Sequence, residues 1–212
     1  YHCHHCGWAG AVSTEFRSQR GFNNSEKVYE KPVVRKTAID KRFRDFFAER
    51  RISDQVLKDF GIFQDKDKIC FPYFDWHGEV VNIKTRSFDK KFTQSKNAKP
   101  SLFHRRRSLT DQNKSHPNVF VEGEMDVLAC AEANIRAVSL ANGAPKEAHF
   151  KRNDARFKAL DQDWVRSLSK VVIFTDRDQA GKALQQELVH RFGKQRCWIV
   201  QAPKDCKDAN DV

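Results

Sequence analysis

The chain has no run approaching the roughly 20 apolar residues that a membrane-crossing helix needs, which excludes a helical membrane protein. It has no GxxxxGK[ST] phosphate loop, so it carries no P-loop nucleotide-hydrolysis site and is not itself a helicase. Only six cysteines occur, and only Cys3 and Cys6 form a CxxC pair; Cys70, Cys130 and Cys197 sit in apolar surroundings like small buried hydrophobes. No disulfide framework is suggested, which favours a reducing, intracellular compartment. There is no signal-like segment, and the chain starts at Tyr1 and stops at Asn210-Asp211-Val212, so we expect a piece of a longer protein. What is abundant is phenylalanine: 17 Phe with 4 Trp give 212 residues the apolar volume for one large domain or two small ones.

Charge is the next departure from the ordinary. The 39 Lys and Arg against 28 Asp and Glu leave a formal net charge of +11. Residues 118–212 hold 15 basic and 14 acidic side chains, whereas residues 1–117 hold 24 and 14. The excess therefore belongs to the first half. Its densest part, from Lys84 to Arg107, has nine Lys or Arg and one acid, Asp89, interleaved with Phe88, Phe92 and Phe103. A solvated face mixes signs; a one-sided basic and aromatic stretch fits a polyanion such as nucleic acid or a nucleotide.

Residues 1–12 open with YHCHHCGWAG, a Cys-x-x-Cys knuckle closed by Gly7 and Gly10. Two thiolates at this spacing can hold one tetrahedral Zn²⁺, but a structural site needs four ligands. His2, His4 and His5 are nearby, yet adjacent residues converge poorly on one ion, so we expect half of a zinc ribbon with the other pair upstream. Residues 13–38 are polar and without sustained period, and read as a linker. Two short helical patterns follow between Asp40 and Phe60, the second capped by Ser53 and closed by Gly61. Ile69–Asp75 and Glu79–Arg86 flank Trp76-His77-Gly78 as a β-hairpin, and Phe88–Thr93 adds a further strand. These make residues 39–116 a small basic subdomain.

After Pro117 the pattern alternates strand and helix. Val119-Phe120-Val121, Ala137–Leu140, Lys170–Thr175 and Cys197–Val200 are apolar strands. They alternate with helices over about Glu124–Asn134, Ala155–Leu168 and Ala180–Phe192. Such alternation implies a parallel sheet covered on both faces, with chemistry at the carboxyl ends of its strands. Those ends carry acids: Glu122 and Asp126 after the first strand, Asp176 and Asp178 after the third, Asp205, Asp208 and Asp211 after the last. Together they suit Mg²⁺, which takes one or two carboxylates, waters and substrate phosphates. The competing explanation for any one of them is helix N-capping.

VEGEMDVL, SLANGAP, VVIFTDRDQAGKAL and KDCKDANDV resemble, in order and spacing, the motifs of the TOPRIM domain of DnaG-type replicative primases. The match is nearest to the phage primase-helicase and Twinkle-like group. The CHHCGWAG knuckle is similar to the second half of that family's zinc domain, and GEVVNIKTRSFDKKF to the basic subdomain that precedes TOPRIM. The resemblance implies an α/β fold whose TOPRIM sheet, Rossmann-like and parallel, spans 117–212 behind a smaller α+β part. Glu122 and Asp126 match the family's acid/base or metal-organising acids. Asp176 and Asp178 match its metal-binding pair, with Asp208 as a further Mg²⁺ (or Mn²⁺) ligand. Cys3 and Cys6 match two Zn²⁺ ligands. Lys84, Arg86, Lys90 and Lys91, with Asn142 and Gly143 of the NGA loop, are the implied contacts to nucleotide and DNA.

The implied activity is synthesis of short RNA primers on single-stranded DNA from ribonucleoside triphosphates. Implied partners are a replicative helicase domain in cis and further copies in an oligomer, in a bacterial or phage-infected cytoplasm or an organellar nucleoid. TOPRIM also serves topoisomerases and nucleases. A topoisomerase needs a tyrosine nucleophile, and Tyr1, Tyr29 and Tyr73 lack that context; Tyr73 lies inside the hairpin, where a core or edge role is expected. The zinc half-site and basic hairpin speak against a nuclease. The remaining rival is a catalytically silent, DNA-binding module serving a Twinkle-like helicase.

Overall fold

A computed structural model describes residues 28–75, 77–104, 118–206 and 209–210. The Cys3/Cys6 knuckle, Arg105–Arg107 and Asp208 lie outside the described residues.

Helix α1 (Lys41–Ala48) starts where the Asp40 carboxylate accepts the Phe43 N–H at 2.8 Å, and buries Phe43, Phe46 and Phe47 at helical spacing. Helix α2 (Asp54–Phe60) is capped by Ser53 and ends on Gly61. At φ 66° that residue adopts the left-handed conformation, and a Cβ there would meet the Phe74 ring at 3.2 Å. Strands β1 (Phe63–Asp65), β2 (Lys68–Phe74), β3 (Val80–Ser87) and β4 (Phe92–Gln94) form an antiparallel sheet in chain order. In its register Ile69 faces Arg86, Phe71 faces Lys84 and Tyr73 faces Asn82. The period of two thus puts Lys84 and Arg86 on the face that carries Ile69, Phe71 and Tyr73 into the core.

The second sheet has the order β5-β7-β6-β8-β9. Its strands are β5 (Leu102–Phe103), β6 (Asn118–Val121), β7 (Ala137–Leu140), β8 (Val171–Ile173) and β9 (Cys197–Ile199). The last four are mutually parallel, as the strand and helix alternation predicts. Helices α3 (Glu124–Glu132), α4 (Asp163–Arg166) and α5 (Gln179–Phe192) complete the set.

Two expectations are corrected, and two segments make contacts beyond the bounds given to them. The strand expected over Phe88–Thr93 begins only at Phe92, because Ser87–Lys91 forms a turn with Lys90 at φ 66°. The single helix over Ala155–Leu168 is a 3-10 turn (Ala155–Asp161) followed by α4; Gln162 between them is extended, with its side-chain carbonyl accepting from the Trp164 indole at 2.9 Å. Residues 28–38 are not a free tether: Thr37 N–H donates to the Gln64 carbonyl at 2.8 Å, Glu30 N–H to the Asn97 carbonyl at 3.1 Å, and Lys31 pairs with Glu79. Finally, β5 comes from residues read as part of the basic subdomain, yet it pairs antiparallel with β7 (Leu102 opposite Leu140, Phe103 opposite Ser139). One continuous core therefore runs from Phe47, Phe60 and Phe71 through Phe103 to Val121, Val127 and Leu128, joining the two sheets.

Candidate active site

Strand β6 delivers Glu122 to the carboxyl edge of the second sheet, and Gly123 turns the chain into α3. The Gly123 N–H donates to Asp126 at 3.0 Å, so Asp126 also closes the start of this helix. The neighbouring strand β8 runs alongside, with Phe174 N–H donating to the Phe120 carbonyl at 2.8 Å, and delivers Thr175-Asp176-Arg177-Asp178 to the same edge. Asp178 caps α5, accepting the Gly181 N–H at 2.9 Å. The capping explanation thus holds for Asp126 and Asp178 without removing either from the edge. Gly181 is required by close approach: a Cβ there would stand 2.1 Å from the Asp176 carbonyl oxygen. Its absence lets α5 start directly on the Asp176 backbone. Arg177 ties this loop to the Pro203 carbonyl at 2.9 Å, and Asn210 reaches the Arg50 carbonyl at 3.2 Å.

Facing this edge is the small sheet. The Lys84 ammonium lies 2.8 and 3.1 Å from the two Glu124 oxygens, and the Tyr73 hydroxyl donates to the same carboxylate. All three are largely buried. Burial first, and then the Glu124 charge, push the Tyr73 phenol well above its ordinary pKa, so it stays a donor. Lys84 also lies 5.3 Å from the Phe92 ring.

Two cavities flank the start of α3. One, of about 490 Å³, is lined by Lys84, Phe92, Glu122, Glu124, Asn142 and Gly143 among others. The other, of about 750 Å³, is lined by Arg50, Arg51, Arg86, Lys90, Asp126 and Asn210 among others. Arg86 is 6% exposed, with its guanidinium 4.6 Å from the Phe46 ring whose face also carries Arg50 at 3.7 Å. Burial, and then the Arg50 charge, lower the Arg86 pKa. Its Nη1 has no hydrogen-bond partner among the described residues. Two guanidinium groups sharing one ring beside a cavity make a ready seat for an anion.

The structure thus distributes the residues named from sequence. Lys84, Glu122, Asn142 and Gly143 share the first cavity, and Arg86, Lys90 and Asp126 the second. Asp176 and Asp178 stand at the adjacent strand end. Lys91 lines neither cavity and pairs with Asp89 at 2.8 Å on the exposed turn. Sequence reasoning missed Glu124 and the hydroxyl contact of Tyr73, whose place in the core it expected. The signals were present: a second glutamate inside Glu122-Gly123-Glu124, and a tyrosine whose hydroxyl needs a partner in an apolar strand.

Among the described residues no three His, Cys, Asp or Glu side chains form a ready-made metal cage. Glu122, Asp176 and Asp178 are nonetheless hard oxygen donors on the ends of two hydrogen-bonded parallel strands. Mg²⁺ needs only one or two of them, with waters and substrate phosphates supplying the rest, so the donor set fits that ion.

Residues 119–212 match a family model described as Toprim-like. The chain is 34% identical over 225 residues to the Primase homolog protein of Arabidopsis thaliana, covering 98% of this chain and 66% of that protein. It is also 34% identical over 229 residues to the Twinkle homolog protein, chloroplastic/mitochondrial, of the same plant, covering 98% of this chain and 31% of that one. The crystal structure of the primase fragment of the bacteriophage T7 primase-helicase protein is similar at 25% identity with a TM-score of 0.61, over 77% of this chain and 66% of that one. The chain spans less than two thirds of the length of the curated relatives it matches; with its parallel sheet and its Toprim-like domain over residues 119–212 it belongs with the TOPRIM-containing, primase-type proteins.

Proposed function

We propose that this chain is the polymerising core of a DNA primase, joining ribonucleotides into short RNA primers on a single-stranded DNA template during DNA replication. The observation that supports the reading is that the two cavities beside the start of α3 bring Lys84, Arg86 and Phe92 of the small sheet next to Glu122 and Asp126 at the strand end. A 3′-hydroxyl attacks the α-phosphate of the incoming ribonucleoside triphosphate, one phosphodiester forms, and pyrophosphate leaves with the electrons of the broken bond. Glu122, Asp176 and Asp178, joined by Asp208, are the residues to hold Mg²⁺ or Mn²⁺. When bound, that ion lowers the pKa of the attacking hydroxyl and neutralises charge on the phosphoryl and leaving oxygens.

The chain's own residues bind and orient. Arg86, with Arg50, Arg51 and Lys90, attracts the phosphates that the carboxylates alone would repel. Phe92, 53% exposed at the rim, offers a stacking face for a base of the template. Asn142 and Gly143 form the opposite wall, where Gly143 at φ 61° has open space beside it. Cys3 and Cys6 are proposed as half of a Zn²⁺ site that helps to choose the start position. A helicase domain in cis and an oligomeric assembly belong to the same proposal. The name of the Twinkle homolog supports an organellar nucleoid over a bacterial or phage-infected cytoplasm. No helix among the described residues is long and apolar enough to cross a membrane.

The test is a primer-synthesis assay with single-stranded DNA, the four ribonucleotides and Mg²⁺. Short RNA is expected, and Asp176→Asn with Asp178→Asn is expected to abolish it while sparing DNA affinity. Asparagine keeps the α5 cap, so loss of synthesis with an unchanged melting temperature isolates the chemistry. DNA binding without any RNA product would establish the second reading, a silent single-strand-binding module of a Twinkle-like helicase, which the Twinkle relative favours.

A further inference from the structure

A third cavity, of about 370 Å³, lies at the other end of the second sheet. Helix α5 starts at the carboxyl edge with Asp178 and runs 14 residues, roughly 21 Å at 1.5 Å per residue, to Phe192 at the amino edge. Around that end stand Arg152, Arg166, Arg191 and Arg196, with His190; Asp161 is the one acid on the wall. In a half of the chain whose charge nearly balances, this is a local concentration of one sign.

Part of that charge is structural. Arg196 donates to the Phe192, Arg166 and Leu168 carbonyls, and Arg191 pairs with Glu187 at 3.2 Å while its buried Nε has no hydrogen-bond partner among the described residues. The rim has a different character. Phe150 sits at φ 53°, a left-handed conformation uncommon for a bulky residue, yet its ring is 47% exposed. The backbone is held there by the Glu187 carboxylate, 1% exposed, which accepts both the His149 N–H at 2.7 Å and the Phe150 N–H at 2.8 Å. A buried charged network thus holds a strained segment and presents an aromatic face to solvent. Such strain persists only where the surroundings over-determine it. The Phe150 ring lies 5.0 Å from His190, and Arg152 and Arg166 are both exposed beside them, Arg166 in a solvent-exposed pair with Asp161 at 3.0 Å that a phosphate would have to displace.

We propose that this amino-edge pocket is a second contact for single-stranded nucleic acid, taking a base against Phe150 and His190 and its flanking phosphates on Arg152 and Arg166. It rests on the proposed function only in the identity of the ligand. An acidic peptide would also meet the arginines, but it has no use for an exposed aromatic pair, whereas base stacking beside guanidinium groups is how sequence-tolerant single-strand sites are built. The roughly 21 Å between the pocket and the carboxylate edge corresponds to about six phosphates at about 3.4 Å each, so only a strand longer than that engages both sites.

The test is fluorescence anisotropy on the intact chain in EDTA, without nucleotides, using oligothymidylates of about four and about sixteen residues, lengths on either side of that span. Arg152→Ala with Arg166→Ala is expected to weaken the long oligomer about tenfold and to lower its salt slope by about 1.4, while leaving the short one unchanged. In a Phe150→Trp variant, the long oligomer is expected to quench the new emission. An oligouridylate of equal length separates a template contact from an RNA-product contact, and stronger quenching by either supports the site. Unchanged affinity for the long oligomer, equal weakening of both lengths, or quenching by polyglutamate and not by either oligonucleotide would overturn it. Primer synthesis on short templates is expected to be unaffected by the arginine pair; absence of synthesis altogether would sink the polymerase reading and leave this binding result standing.

Discussion

Lys84 on β3 and Glu124 at the first turn of α3, 40 residues apart in the chain, form a buried ion pair at 2.8 Å that bridges the two sheets. Removing one member strands the other charge out of water, which costs about 3–5 kcal/mol, whereas replacing both costs far less. Lys84→Met is therefore expected to lower unfolding stability more than Lys84→Met with Glu124→Gln. Urea denaturation of the four members of this double-mutant cycle checks it. Additive losses would mean the two groups do not interact.

Tyr73→Phe deletes one of the donors to the Glu124 carboxylate and changes nothing else in the apolar strand. Lys84 remains in place, so the loss of stability is expected to be about 1 kcal/mol. If the carboxylate also positions Lys84 at the cleft, primer synthesis falls further than stability does, and rescue by a second tyrosine analogue bearing a hydroxyl restores both.

Gly181→Ala sets two expectations of opposite sign against each other. Helix propensity alone favours alanine by about 1 kcal/mol in a helix interior. The approach of 2.1 Å to the Asp176 carbonyl forbids any Cβ, and that carbonyl is backbone. The variant is expected to be destabilised, with a lower thermal midpoint, and to lose activity through the displaced Asp176. A raised midpoint would refute the contact.

The Glu187 carboxyl gives a pH signature. Burial pushes its pKa up, but the His149 and Phe150 N–H groups and Arg191 outweigh burial and hold it below the ordinary value. A group depressed in the folded state contributes stability above its unfolded pKa, about 4.3, and that contribution disappears as pH falls through the folded value. The stability gap between the wild type and Glu187→Gln is expected to be full at neutral pH and to close in acid. A gap that stays constant down through that range would show the carboxylate is not held as described.

What was legible in the sequence was whatever is decided locally. The Ser53 cap, the Gly61 stop and the hairpin of β2 and β3 each rest on a few adjacent residues and stand where they were read. The acids after β6 and β8 were found because the ends of parallel strands are a topological place that alternation alone reveals. What escaped depends on partners far away in the chain. That Lys84 pairs with Glu124, 40 residues away, has no local signature. Leu102-Phe103 is too short to read as a strand until β7 offers an edge. The extended segment before α1 looks like a linker because its hydrogen bonds to Gln64 and Asn97 have no local signature.

The strand β5 has a mechanical consequence. Because it belongs by sequence to the first subdomain and by pairing to the second sheet, and because Phe103 lies in the core shared by both, the walls of the cleft are welded rather than hinged. Widening the gap would mean giving up strand pairing and aromatic packing together, which opposes such an opening. On the polymerase reading proposed above, the aperture between the two sheets is a fixed gauge, and a growing duplex leaves it by sliding past its walls or by letting go.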